Sequence, residues 1–497
     1  MQGKKDYQEK LFIRFQLSDY VPEDNFYRQL KSLLDFSFLY STTSKYYGKE
    51  GQKSIDPIVF MKLMLVGYLE NLNSDRRIIS TSRMRMDILY FIGYDLDEEL
   101  PWHSTLSRTR QLYGEEEFTI IFRKVLKMCI DKGLVSGKRQ AIDSVFVKAN
   151  AGASSLIERE IMDDVAVYSK ELAAHEEKQS PSAIIKFRAQ NKSGHPSDNH
   201  PKKVNQKLTS LSDPDARLSY KPGKVTRLNY LSQVSVDTAS HIITHIQAFH
   251  ADKRDGQCLP EILEHTVKNL KENGLEIKEV IADTGYSNES ALLALDQHNI
   301  EAYIPNNGRY KDERKDFSYD LENDRYICSH GKHLTFRHYR DKGTSTHKVY
   351  KTNKKDCINC PLKDSCADRN LGVKVLRDSS IKQLYAQMQQ RVKSRKGKQM
   401  KKLRSSTVEP VIGTLINFTA MRQVNTKGIQ LANKCMIMAA VAYNLKKIIK
   451  NISIKNRKVA LITLQNGEKT TRILSRWMET LILSILGMDY ITIKENG

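Results

Sequence analysis

EVIADTGYSN, residues 279–288, is the stretch on which the fold turns. Val280, Ile281 and Ala282 read as a buried strand, yet the run ends in an acid, Asp283, and Thr284-Gly285 breaks it. Asp shortly before Gly commonly starts a turn. A carboxylate at the mouth of a buried strand is also where a metal ligand would stand. Which reading holds depends on what the rest of the chain brings to that place.

A similar acid interrupts AIDSVFVKANA, residues 141–151. The period of two marks a strand and puts Asp143 on the same face as Val145 and Val147, an odd position for an unpaired charge. Residues 151–225 form a polar, charge-rich insertion with a weak helical pattern near 155–175. LNYLSQVSVD and HIITHIQAF then read as two more strands. Leu259, Ile262, Leu263, Val267 and Leu270 trace one face of a helix that stops at Asn273-Gly274. EVIAD is the next strand, ALLALDQHN a helix and EAYIP a further strand. The first three strands can meander antiparallel, and the helical crossover returns EVIAD beside the first strand and parallel to it. Asp143 and Asp283 then become neighbours. Two adjacent carboxylates repel unless a cation neutralises them, and hard oxygen ligands favour Mg2+ or Mn2+.

Glu409 in SSTVEPVIGTLINFTAMR is the candidate third acid. Val408, Ile412, Leu415 and Phe418 form a helical stripe, with Glu409 at its edge in the first turn. Ser406-Thr407-Val408-Glu409 also fits a capping box. With Ser406 as cap, Pro410 would remove the first helix bond; with Thr407 as cap, Pro410 is harmless and Glu409 is free. On the residues alone, cap and ligand both stand.

The chain has 497 residues, enough for two to four domains, and its 40% apolar content excludes wholesale disorder. Lys and Arg number 80 against 58 Asp and Glu, a net charge of +22 that points to a polyanionic partner, most often nucleic acid. No apolar run reaches the ~18 residues of a membrane span; Ile58–Leu69, broken by Lys62, reads as a packed helix. Seven cysteines in so long a chain make no secreted disulfide framework, so an intracellular, cytoplasmic protein is expected.

Residues 1–137 read as helical, with Arg76, Arg77, Arg83 and Arg85 among Ile78, Ile79 and Ile88. That pattern suits a solvated basic face or DNA contact, and Arg76 and Arg77 are the candidates for the latter. RVKSRKGKQMKKLRSS, residues 391–406, carries eight basic residues and no acid, and leads directly to Glu409. Arg395, Lys396, Lys398, Lys401, Lys402 and Arg404 are therefore candidate phosphate contacts, as is Arg422 beyond the acid. Cys328, Cys357, Cys360 and Cys366 gather in one segment, where they suit structural Zn2+ or simple packing. His241, His245 and His250 lie in or beside a strand without a partner acid, and read as locally satisfied.

AIDSVFVKANA, SDPDAR (212–217), DGQ (255–257), IADTGYSN and VEPVIGTLINFTAMRQVNTKGIQLANKCMIMAAVAYNLKKI together resemble, in order, the bacterial insertion-sequence transposases of the DDE type. SDRRIISTSRMRMDILYFIGYDLDEELPWHSTLSRTR resembles the helical domain that precedes the catalytic domain in that group. The resemblance implies an α/β, RNase H-like mixed sheet flanked by helices, with a helical N-terminal domain and a cysteine-containing insertion. It maps Asp143, Asp283 and Glu409 onto the three catalytic, Mg2+-binding acids. It implies Mg2+- or Mn2+-dependent cleavage and joining of double-stranded DNA at terminal inverted repeats, by a dimer or higher multimer. A catalytically inactive, transposase-derived DNA-binding protein is the alternative. Relatives often carry a Tyr and an Arg ahead of the Glu and a Lys after it; here Arg404 is offset and the later position is Ile416. The expected divisions are 1–137 (helical, DNA-binding), 138–308 (first part of the core), 309–380 (cysteine insertion), 381–450 (second part of the core, with Glu409) and 451–497 (a C-terminal extension with one helix in ILSRWMETLILSIL).

Overall fold

Among the described residues, eight α-helices and one short 3-10 helix between Leu17 and Asp131 open the chain. The central one, Pro57–Leu69, begins with Asp56 accepting from the Ile58 and Val59 N–H groups at 2.7 and 3.2 Å, and Pro57 fills the first position, where no N–H is needed. Phe60, Met61, Leu63, Met64, Leu65 and Val66 are all buried, so this helix is the core of the bundle. Among the described residues no helix is long and apolar enough to cross a membrane. The molecule is known here from a computed structural model that describes residues 15–48, 50, 54–159, 201–219, 225–306, 314–343 and 345–454.

The central sheet has the strand order the sequence pattern demands. Arg139–Lys148 pairs antiparallel with Arg227–Asp237, which pairs antiparallel with Ile242–His250. On its other side Arg139–Lys148 pairs parallel with Glu279–Ile281, and that strand pairs parallel with Glu301–Tyr303. A short edge strand, Arg217–Ser219, was not anticipated. The crossover helix Asp255–Lys271 buries Cys258, Leu259, Ile262, Leu263 and Leu270, and Gly274 follows with φ +73°. Three antiparallel strands followed by two parallel ones, with helices flanking, is the RNase H-like arrangement.

Two expectations need correction, and one segment takes a form the residues did not show. Leu156–Glu158 is a strand paired with Leu208–Ser210, so the weak helical pattern does not begin at 155; residues 160–200 lie outside the described residues, as does the expected helix in ILSRWMETLILSIL. The cysteine segment is a five-stranded antiparallel meander from Phe317 to Ser379 built on Tyr326, Leu334, Tyr350 and Leu376. Finally, the Glu409 helix starts far earlier than Thr407: it runs Arg395–Phe418, capped by Ser394, whose Oγ accepts from Gly397 N at 3.0 Å. Glu409 is therefore mid-helix, the capping-box reading falls, and Phe418 is exposed.

The described residues up to Asn444 form one compact unit. Within it, the buried Lys434 donates to the Arg110 and Tyr113 carbonyls at 3.1 and 2.5 Å, and Asn433 donates to Glu115 at 2.7 Å, which fastens the helical bundle to the core. Residues 445–454, which fall to a second unit, are helical.

Candidate metal centre

Parallel pairing sets Ala141 opposite Ile281, so two residues later Asp143, midway along its longer strand, stands beside Asp283, just past the carboxyl end of the neighbouring one. In open α/β sheets that end of the strands is where ligands bind. Each acid is held by a backbone donor close after it. Ser144 N–H donates to Asp143 Oδ1 at 2.8 Å, and Gly285 N–H donates to Asp283 Oδ1 at 2.8 Å. The Asp283 bond starts the 3-10 turn Thr284–Tyr286, so this residue starts a turn and also stands at the strand mouth.

Burial pushes the Asp143 carboxyl up to about 6; the neighbouring Asp283 and Asp255 add to the rise, while Ser144 N–H and Arg404 oppose it. A half-buried carboxylate facing two others is short of positive charge. Arg404 partly supplies it, donating to Asp143 Oδ2 at 2.6 Å and to Glu409 Oε1 at 3.4 Å. Helix geometry explains why Arg404 does this. It lies on the face that buries Met400, Thr407, Val408 and Val411, whereas Glu409, five residues on, is turned away by about 140°. Asp143 and Arg404 are each 17% exposed and Glu409 is 60% exposed. Thus two acids belong to the sheet, and the third is joined to them through a guanidinium.

Among the described residues no three His, Cys, Asp or Glu side chains stand as a ready-made metal cage. The donor set nevertheless fits a divalent cation: hard oxygens around a place where a cationic side chain already bridges two of them.

The basic residues divide by position. Arg395, Lys398, Lys401 and Lys402 are exposed on the Glu409 helix, and Arg395, Lys402 and Glu409, spaced by sevens, follow one edge of it. Lys396 instead binds Glu279 and, at 3.3 Å, Glu301. Arg76 and Arg77 are exposed at the start of the helix Asp75–Arg83, and Arg76 bonds His103 at 3.2 Å. Asn71 and Asn73, just before that helix, donate to the Asn417 and Gln423 carbonyls at 2.9 and 2.7 Å, so this end of the bundle abuts the end of the Glu409 helix. Arg422 there donates to Asn417 at 2.8 Å.

The remaining sequence candidates resolve individually. Cys366 has its thiol raised by burial, with Cys357, Cys360 and Cys328 acting in the same direction against Lys374, so the four cysteines do share one neighbourhood. His245 is stacked on His265 at 5.1 Å, and burial drives it down to about 3; His250 bonds the Asp215 carbonyl at 2.9 Å. SDPDAR is structural: Asp213 accepts from the Tyr230 hydroxyl at 2.7 Å and from Gly428 N at 3.0 Å, and Asp215 accepts from Ile429 N at 3.0 Å. Sequence reading gave Asp255 no role beyond its place in DGQ, yet its Oδ1 accepts from Ser144 Oγ at 2.5 Å. The available signal was an acid at the helix start directly after the third strand.

Comparison with known proteins agrees with this architecture at domain level. Residues 15–112 match a transposase domain (DUF772), and residues 327–449, which include Glu409 and the four cysteines, match a transposase DDE domain. No curated protein matches the chain. Among solved structures, the piggyBac transposase synaptic complex with hairpin DNA is 11% identical, with 87% of this chain and 75% of that chain covered and a TM-score of 0.28. The Mos1 transposase paired-end complex with left transposon end is 9% identical, with 53% and 64% covered and a TM-score of 0.16. Likeness at those scores carries no weight, and the domain matches do. A transposase domain followed by a transposase DDE domain is what this chain is similar to, in agreement with the resemblance to the DDE-type insertion-sequence transposases.

Proposed function

We propose that the protein binds the terminal inverted repeats of an insertion sequence, cuts the DNA to expose a 3′-hydroxyl, and joins that hydroxyl to target DNA. Asp143, Asp283 and Glu409 are the catalytic acids and Mg2+ or Mn2+ the cofactor. The observation that carries the reading is the meeting of Asp143 and Asp283 on adjacent parallel strands, with Arg404 linking Asp143 to Glu409. When bound, a pair of divalent cations activates the attacking oxygen and neutralises the leaving one.

The chain's own groups do the rest. Asp143, central to the site, would hold the cations together with Asp283 and Glu409. Arg404 holds the carboxylates together beforehand and turns to a DNA phosphate once they are engaged. Arg395, Lys398, Lys401, Lys402 and Arg422 anchor the strand being cut, and Arg76 and Arg77 extend the basic surface onto the bundle. Lys396, expected with these, is occupied by Glu279 and Glu301 and contributes least. Holding two element ends calls for a dimer or higher multimer on DNA, acting in the cytoplasm. The divisions 1–137, 138–308, 309–380, 381–450 and 451–497 are retained as working domains, and the four gathered cysteines as ligands of a structural Zn2+.

A strand-transfer assay with labelled element ends tests the reading. Joined products in Mg2+ are expected. Cut but unjoined ends would reduce the protein to a nuclease, and binding without cutting would make it an inactive, transposase-derived DNA-binding protein.

A further inference from the structure

Behind the two strand-borne aspartates lies a set of polar side chains that the three-acid reading leaves unused. Asp255 is the first residue of the crossover helix, and its Oδ1 accepts from Ser144 Oγ at 2.5 Å and from Gln233 Nε2 at 3.3 Å. Gln233 Oε1 in turn accepts from the Tyr286 hydroxyl. Gln233 and Tyr286 are fully buried and Ser144 nearly so. Four separate elements therefore meet in one network: two strands, the crossover helix and the turn after Asp283.

Each end of the network adjoins a proposed ligand. Ser144 binds Asp255 through its hydroxyl and Asp143 through its N–H. Tyr286 closes the turn whose Gly285 N–H holds Asp283. Asp255 also stands near this second ligand: a methyl group at Gly285 would lie 3.0 Å from both Asp255 Oδ2 and Asp283 Oδ1, so both carboxylates crowd against the same glycine. An acid placed at a helix start only to favour the helix dipole could face solvent; this one faces the sheet.

We propose that Asp255 is a positioning residue for the divalent-cation site, fixing Asp143 through Ser144 and the Asp283 turn through Gln233 and Tyr286. The proposal rests on the reading that Asp143 and Asp283 hold the cation. Groups that orient ligands from behind commonly govern metal affinity almost as strongly as the ligands do. A hydrogen bond to an ionised carboxylate is stronger than a neutral one, so Asp255 is well suited to lock a serine and a glutamine in single orientations.

The test is Mn2+ titration of the full chain without DNA, by calorimetry and by the Mn2+ electron paramagnetic resonance spectrum. Asp255→Ala should weaken Mn2+ binding by about 10–100-fold and alter the spectrum. Asp255→Asn, which keeps an oxygen for Ser144, should restore most of the affinity. Ser144→Ala, which removes the hydroxyl that Asp255 holds while keeping the N–H on Asp143, should weaken binding several-fold, and it decides the matter if Asp255→Ala does not fold. Wild-type affinity in Asp255→Ala, or in Ser144→Ala, with binding lost in Asp143→Asn would overturn the proposal and leave the cation site standing. Undiminished binding in Asp143→Asn would overturn the site itself, and the proposal with it.

Discussion

The sheet-borne half of the site and its helix-borne half are built on different physics. Asp143 and Asp283 are fixed by strand pairing, by one backbone N–H each, and by a packed polar layer behind them. Glu409 is 60% exposed on a helix and is tied in by one 3.4 Å bond to Arg404. The sheet thus presents a rigid pair of acids, and the helix supplies a third that can adjust. Such a division would suit the proposed centre, which has to accept both cations and a bulky DNA strand.

The largest expected effect tests that contrast directly. Asp143→Asn and Glu409→Gln should each reduce strand transfer by about 10³-fold or more, since several kcal/mol of charge stabilisation are lost. They should part in Mn2+ binding without DNA, lost in Asp143→Asn and largely kept in Glu409→Gln. Equal loss in both would erase the distinction between the two halves. DNA-end binding, read by gel shift, should survive in each.

A smaller effect follows from the raised Asp143 carboxyl. Its folded value of about 6 exceeds the ordinary 3.8, so the folded protein holds this proton more tightly than the unfolded chain does. The resulting stability is fully present below about pH 4 and is lost as pH rises through 6. At roughly 1.4 kcal/mol per pH unit, metal-free wild type should lose about 3 kcal/mol relative to Asp143→Asn across that window. Parallel denaturant titrations of the two proteins measure the difference, and parallel curves would refute the shift. Mg2+ affinity should rise over the same range, because metal and proton compete for the carboxylate.

Arg404→Gln probes the link between the halves. Removing one partner leaves the half-buried Asp143 charge uncompensated and should cost about 1–3 kcal/mol without metal. Added Mg2+ should then raise the melting temperature more than it does in wild type. An identical Mg2+ shift in both proteins would mean that Arg404 does not stand where the cation goes.

The smallest effect concerns the basic stripe. Lys396→Ala should change stability by less than about 1 kcal/mol, as expected for a pair in which the lysine is 49% exposed. It should also weaken DNA-end binding less than Lys402→Ala, which should lower the salt dependence of binding by about one charge. The reverse ranking would show Lys396 leaving Glu279 and Glu301 for DNA.

Much of this was legible from residues, and the exceptions have physical causes. The strands around Asp143 and Asp283 stand out because long apolar runs with abrupt acids have few alternative placements. The start of the Glu409 helix was hidden because residues 395–406 are mostly charged and polar, so they read as a charge run, and Pro410 looked like an opening signal. The antiparallel meander escaped because its buried centre, built on Tyr326, Leu334, Tyr350 and Leu376, is small and spread thinly along the chain. Asp255 gave only a turn-like Asp-Gly, which carries no information about what the side chain faces.

The sequence by itself determined the order of strands and the nearness of Asp143 to Asp283, since hydrophobic runs and crossover rules leave little freedom. Only the tertiary structure decided that Arg404 would stand between Asp143 and Glu409 and that Asp255 would support the pair from behind. Those choices depend on how a helix is rotated against a sheet, and rotation is set by packing at residues far apart in the chain.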